Sequence, residues 1–429
     1  MTQWKNWSGN VQAHPQAHVH VADETALAEA IRQSPAPIRV CGAGHSFSPL
    51  LETQGGTHLH LDGLTQVQAE PGDTLAARVG CGVRLRDLTP QLHALGQALS
   101  NMGDIDAQRV GGALATGTHG TGCSFGTYSA MARELVVFDG QGQRLVATPE
   151  READVFHAMA VSLGTGGIVS EAVLATEAPY CLHKRRFLVP LEALLDDLCG
   201  LLHSKRCVEF FYITHSGMAL GLESHCTDDA CTVRPADQDQ EGLAQLRLLG
   251  QCLGWAPGLR RWVLNKALRG HVQETFIQDW HKAYASDRDR IRFNETEYHL
   301  PEANATQALR EVIALVERDF PHVYFPMEIR CVAADDLWLS PFYQRASVSI
   351  AVHHEAGKPF EALLQAVEPI FLRHAGRPHW GKQHSLTAAE LRPRYPRFDD
   401  AVAVRRELDP QGRFNSPYMQ RLLDLPAPH

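Results

Sequence analysis

The sequence predicts an α+β protein of two or three domains, and three features carry that reading. Short apolar strands meet glycine-rich turns three times between residues 38 and 170. Beyond about residue 176 glycine thins out, and helical periodicity alternates with strand-like runs. The chain of 429 residues, 44% hydrophobic, is also long enough to bury more than one core.

A net charge of -9 and a sequence pI near 6.2 argue against a nucleic-acid backbone as partner, which would need a clustered basic surface. The densest basic runs, Lys184-Arg185-Arg186 and Arg392 to Arg397, read as solvated faces. No apolar run is long enough to span a bilayer, and Met1-Thr2-Gln3-Trp4-Lys5-Asn6 lacks the apolar stretch of a signal peptide, so a cytoplasmic location is expected. The ten cysteines are scattered without a C-x-x-C pair and read as reduced thiols used in packing.

A helix is expected from Asp23, with Leu27, Ala30 and Ile31 on one face, followed by the strand Ile38-Arg39-Val40. That strand runs into Cys41-Gly42-Ala43-Gly44-His45-Ser46-Phe47-Ser48-Pro49, where glycines permit positive φ and bring amides close to an anion. It is not a Rossmann loop, because the third glycine and the long helix are missing. His58 to Leu61 alternates as a strand. Thr74 to Gly80 is another, followed by a helix with Leu85, Leu88, Leu92 and Leu95, ended by Gly96. Pro90 either kinks that helix or marks its start, with Thr89 as cap. The pairs His18/His20 and His58/His60 each place two imidazoles on one strand face with no third ligand close in sequence, and no metal site is expected.

The second glycine-rich stretch holds Gly103, Asp104, Gly111, Gly112, Thr116, Gly117, Thr118, His119 and Gly120. The third is Gly164-Thr165-Gly166-Gly167-Ile168-Val169, after a helix expected to begin with Thr148 as cap and Pro149. Three such turns describe a long ligand lying across several loops.

Farther on, helices are expected around Leu191 to Leu202 and Gln307 to Glu317, strands at Cys207 to Thr214 and Val348 to His353, and helix packing by Trp255, Trp262, Trp280 and Tyr284. Phe325 to Val332 alternates as a strand, so Glu328 and Arg330 share a face, as an ion pair would. Gly376-Arg377-Pro378-His379-Trp380-Gly381-Lys382-Gln383 fits a P-loop pattern only superficially. Gln383 replaces the magnesium-binding Ser/Thr and Pro378 removes an amide, so an ATP-using protein is set aside.

Gly42 to Ser46, the Gly-Asp-Ile-Asp and Ala-Thr-Gly-Thr-His-Gly run of 103 to 120, and Gly-Gly-Ile-Val at 166 to 169 resemble the flavin-binding domain of the vanillyl-alcohol-oxidase superfamily. Within it the chain is similar to the aldonolactone and alditol oxidases, whose C-terminal signature is matched by Arg377 to Lys382, Leu408-Asp409-Pro410 and Asn415-Ser416-Pro417-Tyr418. The resemblance implies a two-subdomain FAD-binding domain at 1–175, an α+β cap at 176–376, and a segment at 377–429 returning to the flavin. It implies that His45 bonds covalently to the flavin, that residues 41 to 46 hold the pyrophosphate, that 103 to 120 wrap the flavin and ribityl chain, and that Gly167, Ile168 and Val169 meet the adenine end. Doubly linked members carry a cysteine before the second glycine run. Asp104 and Asp106 stand there and Cys123 comes too late, so one tether is expected.

The implied reaction is oxidation of a hydroxyl on a small sugar lactone or polyol, with hydride going to flavin N5 and reoxidation by O2, giving H2O2, or by another acceptor. Aldono-1,4-lactones (L-gulono-, L-galactono- or D-arabinono-) come first and alditols second. In this family a Glu-x-Arg on a cap strand faces the flavin, which gives Arg330 the task of stabilising developing charge and Glu328 that of orienting hydroxyls. Lys382 would lie near flavin N1. Alditol oxidases tend to place His and Thr two apart on the next strand. Here the register gives Ala351 and His353, which favours a lactone and leaves His353 or His354 as base.

Overall fold

The computed structural model describes residues 3–235, 239–268, 274–283 and 291–428. Asp23 caps the first helix, Glu24–Gln33, its carboxylate accepting from Ala26 N at 2.8 Å, and Leu27, Ala30 and Ile31 are buried as the pattern requires. The helix joins two strands of a three-stranded parallel sheet, ordered Ala17–His20, Thr57–His60, Ile38–Val40. Beside it stands a five-stranded antiparallel sheet, ordered Val67–Glu70, Asp73–Gly80, Gly167–Ala175, Ala132–Asp139, Arg144–Ala147. Phe398, Val402, Phe414, Tyr418 and Met419 from the C-terminal end of the chain join the same hydrophobic core as these sheets.

The rest is built on an eight-stranded antiparallel sheet. Its order is Glu274–Asp279, Cys181–Pro190, Met218–Thr227, Cys207–Ile213, Met327–Val332, Ser347–Glu355, Phe293–Pro301, Arg377–Pro378. Alternation decides what each face carries. Phe210, Tyr298, Leu300, Ile329, Val348, Ile350 and Val352 pack with the helices Leu191–Asp196, Leu198–Leu202, Glu302–Asp319 and Glu361–Arg373 in a second core. The opposite face carries buried polar groups instead, and the loop at 121–125 pairs with the end of Met327–Val332: Gly122 N donates to Cys331 O and Ala333 N to Phe125 O, both at 2.8 Å.

Several expectations need correcting. The helix Leu85–Ala94 runs through Pro90 and begins before Thr89. A proline in the second turn forfeits one hydrogen bond, while Leu85, Leu88 and Leu92 are buried. The helix expected after Pro149 starts at Ala153, because Thr148 Oγ1 accepts from the amides of Glu150 and Arg151 in a turn and Glu152 adopts positive φ. Part of the second glycine stretch is a helix, Val110–Ala115, rather than a strand-end turn. Trp280 is buried, but Trp255 and Trp262 are 81% and 60% exposed and pack nothing large; Tyr284 lies outside the described residues.

The cysteines are not all thiols. Cys123 and Cys331, 208 residues apart, form a disulfide, because the bridge between Gly122 and Val332 sets their Cα atoms 5.2 Å apart. No helix among the described residues is long and apolar enough to cross a membrane.

Candidate active site

The glycine turn after Ile38–Val40 is held open from behind. Gly44 has φ +71°, and a Cβ there would lie 3.0 Å from the Trp4 ring, so both conformation and contact exclude a side chain. Trp7 N donates to Gly44 O at 2.8 Å, and the Trp7 ring stacks on His45 with centroids 5.6 Å apart. Phe47 N donates to Gly381 O and Ser48 Oγ to Trp380 O, at 2.7 and 2.6 Å, which fixes the turn to the segment carrying Lys382. The Lys382 ammonium sits 5.1 Å above the Phe47 ring. Among the described residues, the amides of Gly42, Ala43, Gly44 and Ser46 donate to no protein group.

Beneath the turn Arg39 is fully buried without a carboxylate. It donates to the carbonyls of Leu50, Leu163, Gly164 and Phe414 at 2.7–2.8 Å, and burial lowers its pKa to about 10. One guanidinium thereby joins the first glycine turn, the third glycine stretch and the C-terminal segment. The cleft these stretches border, partly open to solvent, is lined by residues 41 to 46, then Gly111, Gly112 and Thr116, then Gly167, Ile168 and Val169.

Gly103, Asp104, Gly117, Thr118, His119 and Gly120 do not line this cleft. Gly117 turns the chain with φ +62°, and Thr118 Oγ1 lies 3.1 Å from Thr116 Oγ1. A Cβ on Gly120 would lie 2.2 Å from Met102 O, so 101–103 and 119–121 run hard against each other and deliver His119 to the buried face of the large sheet.

There the strands bring charges together. Arg330 Nε lies 3.5 Å from Glu328 Oε1 and Nη2 2.8 Å from Glu297 Oε1; Glu297 also accepts from Ser349 Oγ and lies 3.3 Å from His119 Nε2. Lys382 Nζ lies 2.5 Å from Glu295 Oε2 and 3.9 Å from Glu297 Oε2. Burial alone would raise the Glu297 carboxyl, but Arg330 and His119 hold it well below the carboxylate range. Glu328 goes the other way: burial raises it against the pull of Arg330, with Asp104 and Glu295 adding to the rise. Burial also holds His299 and His379 well below the usual imidazole range.

His353 shares the face of Glu328 and Arg330, whereas His354 points to the helical side, near Phe360 and His322, and is no candidate base. The His353 Nδ1 lies 3.0 Å from Pro326 O, which can only accept, so this nitrogen donates there, while Nε2 lies 3.7 Å from Glu295 Oε1. Ala351 stands opposite Glu328 in the register. Lys184 is not part of a solvated run: its ammonium donates to Ala283 O at 2.9 Å, and burial lowers its pKa, Glu209 and Asp104 opposing. Sequence reasoning missed Glu209, Glu295, Glu297, His299, Ser349 and His379. The signal for three of them was Glu295-x-Glu297-x-His299, a polar period of two inside Phe293–Pro301.

Residues 172–422 match the family model for D-arabinono-1,4-lactone oxidase, and residues 15–148 that for an FAD binding domain. The chain belongs to the D-arabinono-1,4-lactone oxidase family. It is an FAD-dependent oxidoreductase with the α+β fold of the flavin-binding superfamily. Among relatives of this oxidase family, it is 36% identical to the L-gulono-1,4-lactone dehydrogenase of Mycobacterium tuberculosis, covering 98% of this chain and 99% of that protein. It is 31% identical to an alditol oxidase from Streptomyces and 28% to the L-gulonolactone oxidase of Mus musculus, each over 98% of both chains. In fold it is similar to cholesterol oxidase from Brevibacterium sterolicum, with a TM-score of 0.78 at 14% identity over 98% of this chain and 96% of that one.

The cleft fits FAD. Free amides at Gly42, Ala43, Gly44 and Ser46 suit pyrophosphate oxygens, and Gly112 faces open space, with nothing within 4 Å of where a Cβ would stand.

Proposed function

We propose that this oxidoreductase oxidises a hydroxyl of a small polyhydroxylated carbohydrate, an aldono-1,4-lactone before an alditol, and that O2 reoxidises the cofactor with formation of H2O2. The observation that carries the reading is the row of alternating carboxylates and cations, Glu328, Arg330, Glu297, Lys382 and Glu295, which two strands of the large sheet and the segment after Pro378 bring together. Such a row offers fixed hydrogen-bond partners to several hydroxyls at once and little to an apolar alcohol.

In this reading 1–175 hold the cofactor, 176–376 form the cap, and 377–429 return Lys382 to the site. FAD, when bound, accepts the hydride from the hydroxyl-bearing carbon. The hydroxyl proton goes to His353 Nε2, whose tautomer is set by the Pro326 carbonyl. Arg330 stabilises the oxygen as it loses that proton, Glu328 orients neighbouring hydroxyls, and Lys382 supplies fixed positive charge where negative charge accumulates. Burial of Glu295, Glu297, Glu328 and Arg330 keeps water out of the reaction.

Residues 41 to 46, with Gly111, Gly112, Thr116 and Gly167 to Val169, cradle the dinucleotide in this reading, while Gly103, Asp104 and Gly117 to Gly120 shape the passage toward the cap. His45 is the single covalent tether, since Cys123 is committed to its bond with Cys331. Acid precipitation is expected to leave flavin fluorescence in the washed pellet, and His45→Ala to move it into the supernatant. A colourless pellet from the parent enzyme ends the covalent assignment.

The substrate class rests on Ala351, which presents no hydrogen-bonding side chain opposite Glu328. The C2 hydrogen of a lactone is also activated by its carbonyl neighbour. Anaerobic flavin reduction is expected to be faster with gulono-, galactono- or arabinono-1,4-lactone than with xylitol, sorbitol or mannitol. If a polyol outruns every lactone, the alditol reading replaces this one.

A further inference from the structure

The two His-x-His pairs, distant in sequence, are neighbours in space. Ala17–His20 and Thr57–His60 pair in parallel with His18 opposite His58 and His20 opposite His60, so four imidazoles form a block on one face of the sheet. The His20 and His60 rings lie face to face, centroids 4.3 Å apart and planes within 6°, and His18 Nδ1 is 3.2 Å from His60 Nε2. The missing third type of ligand arrives from the turn after Thr57–His60: Asp62 Oδ2 lies 2.5 Å from His20 Nδ1. Arg109 pairs with the other oxygen, Oδ1, and so aims Oδ2 at the imidazoles. Next in the row, His58 uses Nε2 on Leu51 O, while its Nδ1 is buried and has no partner.

We infer that His20, His60 and Asp62 form a binding site for a divalent ion of the zinc, nickel or copper class. Ligating atoms of all three lie within 4.8 Å of one another. A tetrahedral ion with bonds of about 2.0–2.2 Å needs them roughly 3.4 Å apart, which rotation of half-exposed side chains supplies. Two imidazole nitrogens and one carboxylate oxygen select borderline ions over magnesium or calcium, and water completes the shell. The ion takes the place of the proton between His20 and Asp62, which is released to solvent. Because Ala17–His20 is an edge strand of the three-stranded sheet, the ion ties that edge to the central strand.

The test is calorimetric titration of chelator-washed, flavin-loaded enzyme with Zn2+, and electron paramagnetic resonance of the Cu2+ form. One equivalent is expected to bind with micromolar affinity or better, and Cu2+ to show coupling to at least two imidazole nitrogens. His20→Gln/His60→Gln is expected to weaken Zn2+ by roughly a hundredfold and remove the nitrogen coupling. His20→Gln alone changes only an exposed ring, and it is expected to weaken binding at least tenfold with flavin content unchanged. Cys181→Ser/Cys231→Ser, at a separate group of ligating side chains with Asp279, is expected to keep the equivalent. No bound equivalent in the parent, parent-like affinity in the histidine variants, or loss in the cysteine variant instead would each overturn the assignment.

Discussion

Lys382→Met is expected to slow anaerobic flavin reduction by roughly a hundredfold or more, the scale of losing one preorganised charge, while flavin content stays near that of the parent. Methionine keeps the stem that covers Phe47 and loses the ammonium that sits on Glu295. Arg330→Met is expected to cost at least as much in rate and also in stability, because Glu297 and Glu328 are left buried without their cation. Breaking a buried pair from one side costs about 3–5 kcal/mol. The double variant Arg330→Met/Glu297→Gln separates the effects: it is expected to regain stability and none of the rate. Stopped-flow reduction with a saturating lactone, beside a denaturant titration, measures both. Parent-like reduction in Lys382→Met and Arg330→Met removes both residues from the mechanism.

The second large effect is expected far from any reacting atom. Arg39→Met removes the donors to the carbonyls of Leu50, Leu163, Gly164 and Phe414, all held by one buried side chain. Each carbonyl left dry costs about 1–3 kcal/mol, and relaxation keeps the sum nearer 4 kcal/mol. The first and third glycine stretches lose their common anchor, so weaker retention of FAD is expected with the lower midpoint. Arg39→Lys is not expected to rescue, since three ammonium hydrogens cannot reproduce a planar fork aimed at four oxygens. Thermal unfolding of flavin-loaded and flavin-free protein checks this, and an unchanged midpoint in both contradicts it.

What the sequence made legible was local. The glycine turn at Gly42 and Gly44 and the pair Glu328/Arg330 are each set by a few consecutive residues, and period-two alternation alone puts the latter on one face. Glu295, Glu297 and His299 obey the same rule but were passed over, since a polar strand reads as solvated until another layer is known to cover it. Partners distant in sequence left no trace: Cys123 meets Cys331 across 208 residues, and Asp62 completes the imidazole block only because two strands lie in one parallel register. Pro90 shows the reverse case, where a residue expected either to kink the helix or to start it lies inside, with Leu85 and Leu88 buried ahead of it.

The Cys123–Cys331 bond has a mechanical consequence. Cys331 follows Arg330 on the strand but faces the other way, into the helix-covered core with Ile329, so the loop at 121–125 is stapled to that strand from the side opposite the buried charges. The strand that carries Arg330 and the loop that follows Gly120 are therefore held to each other by a covalent bond as well as by the amide of Gly122.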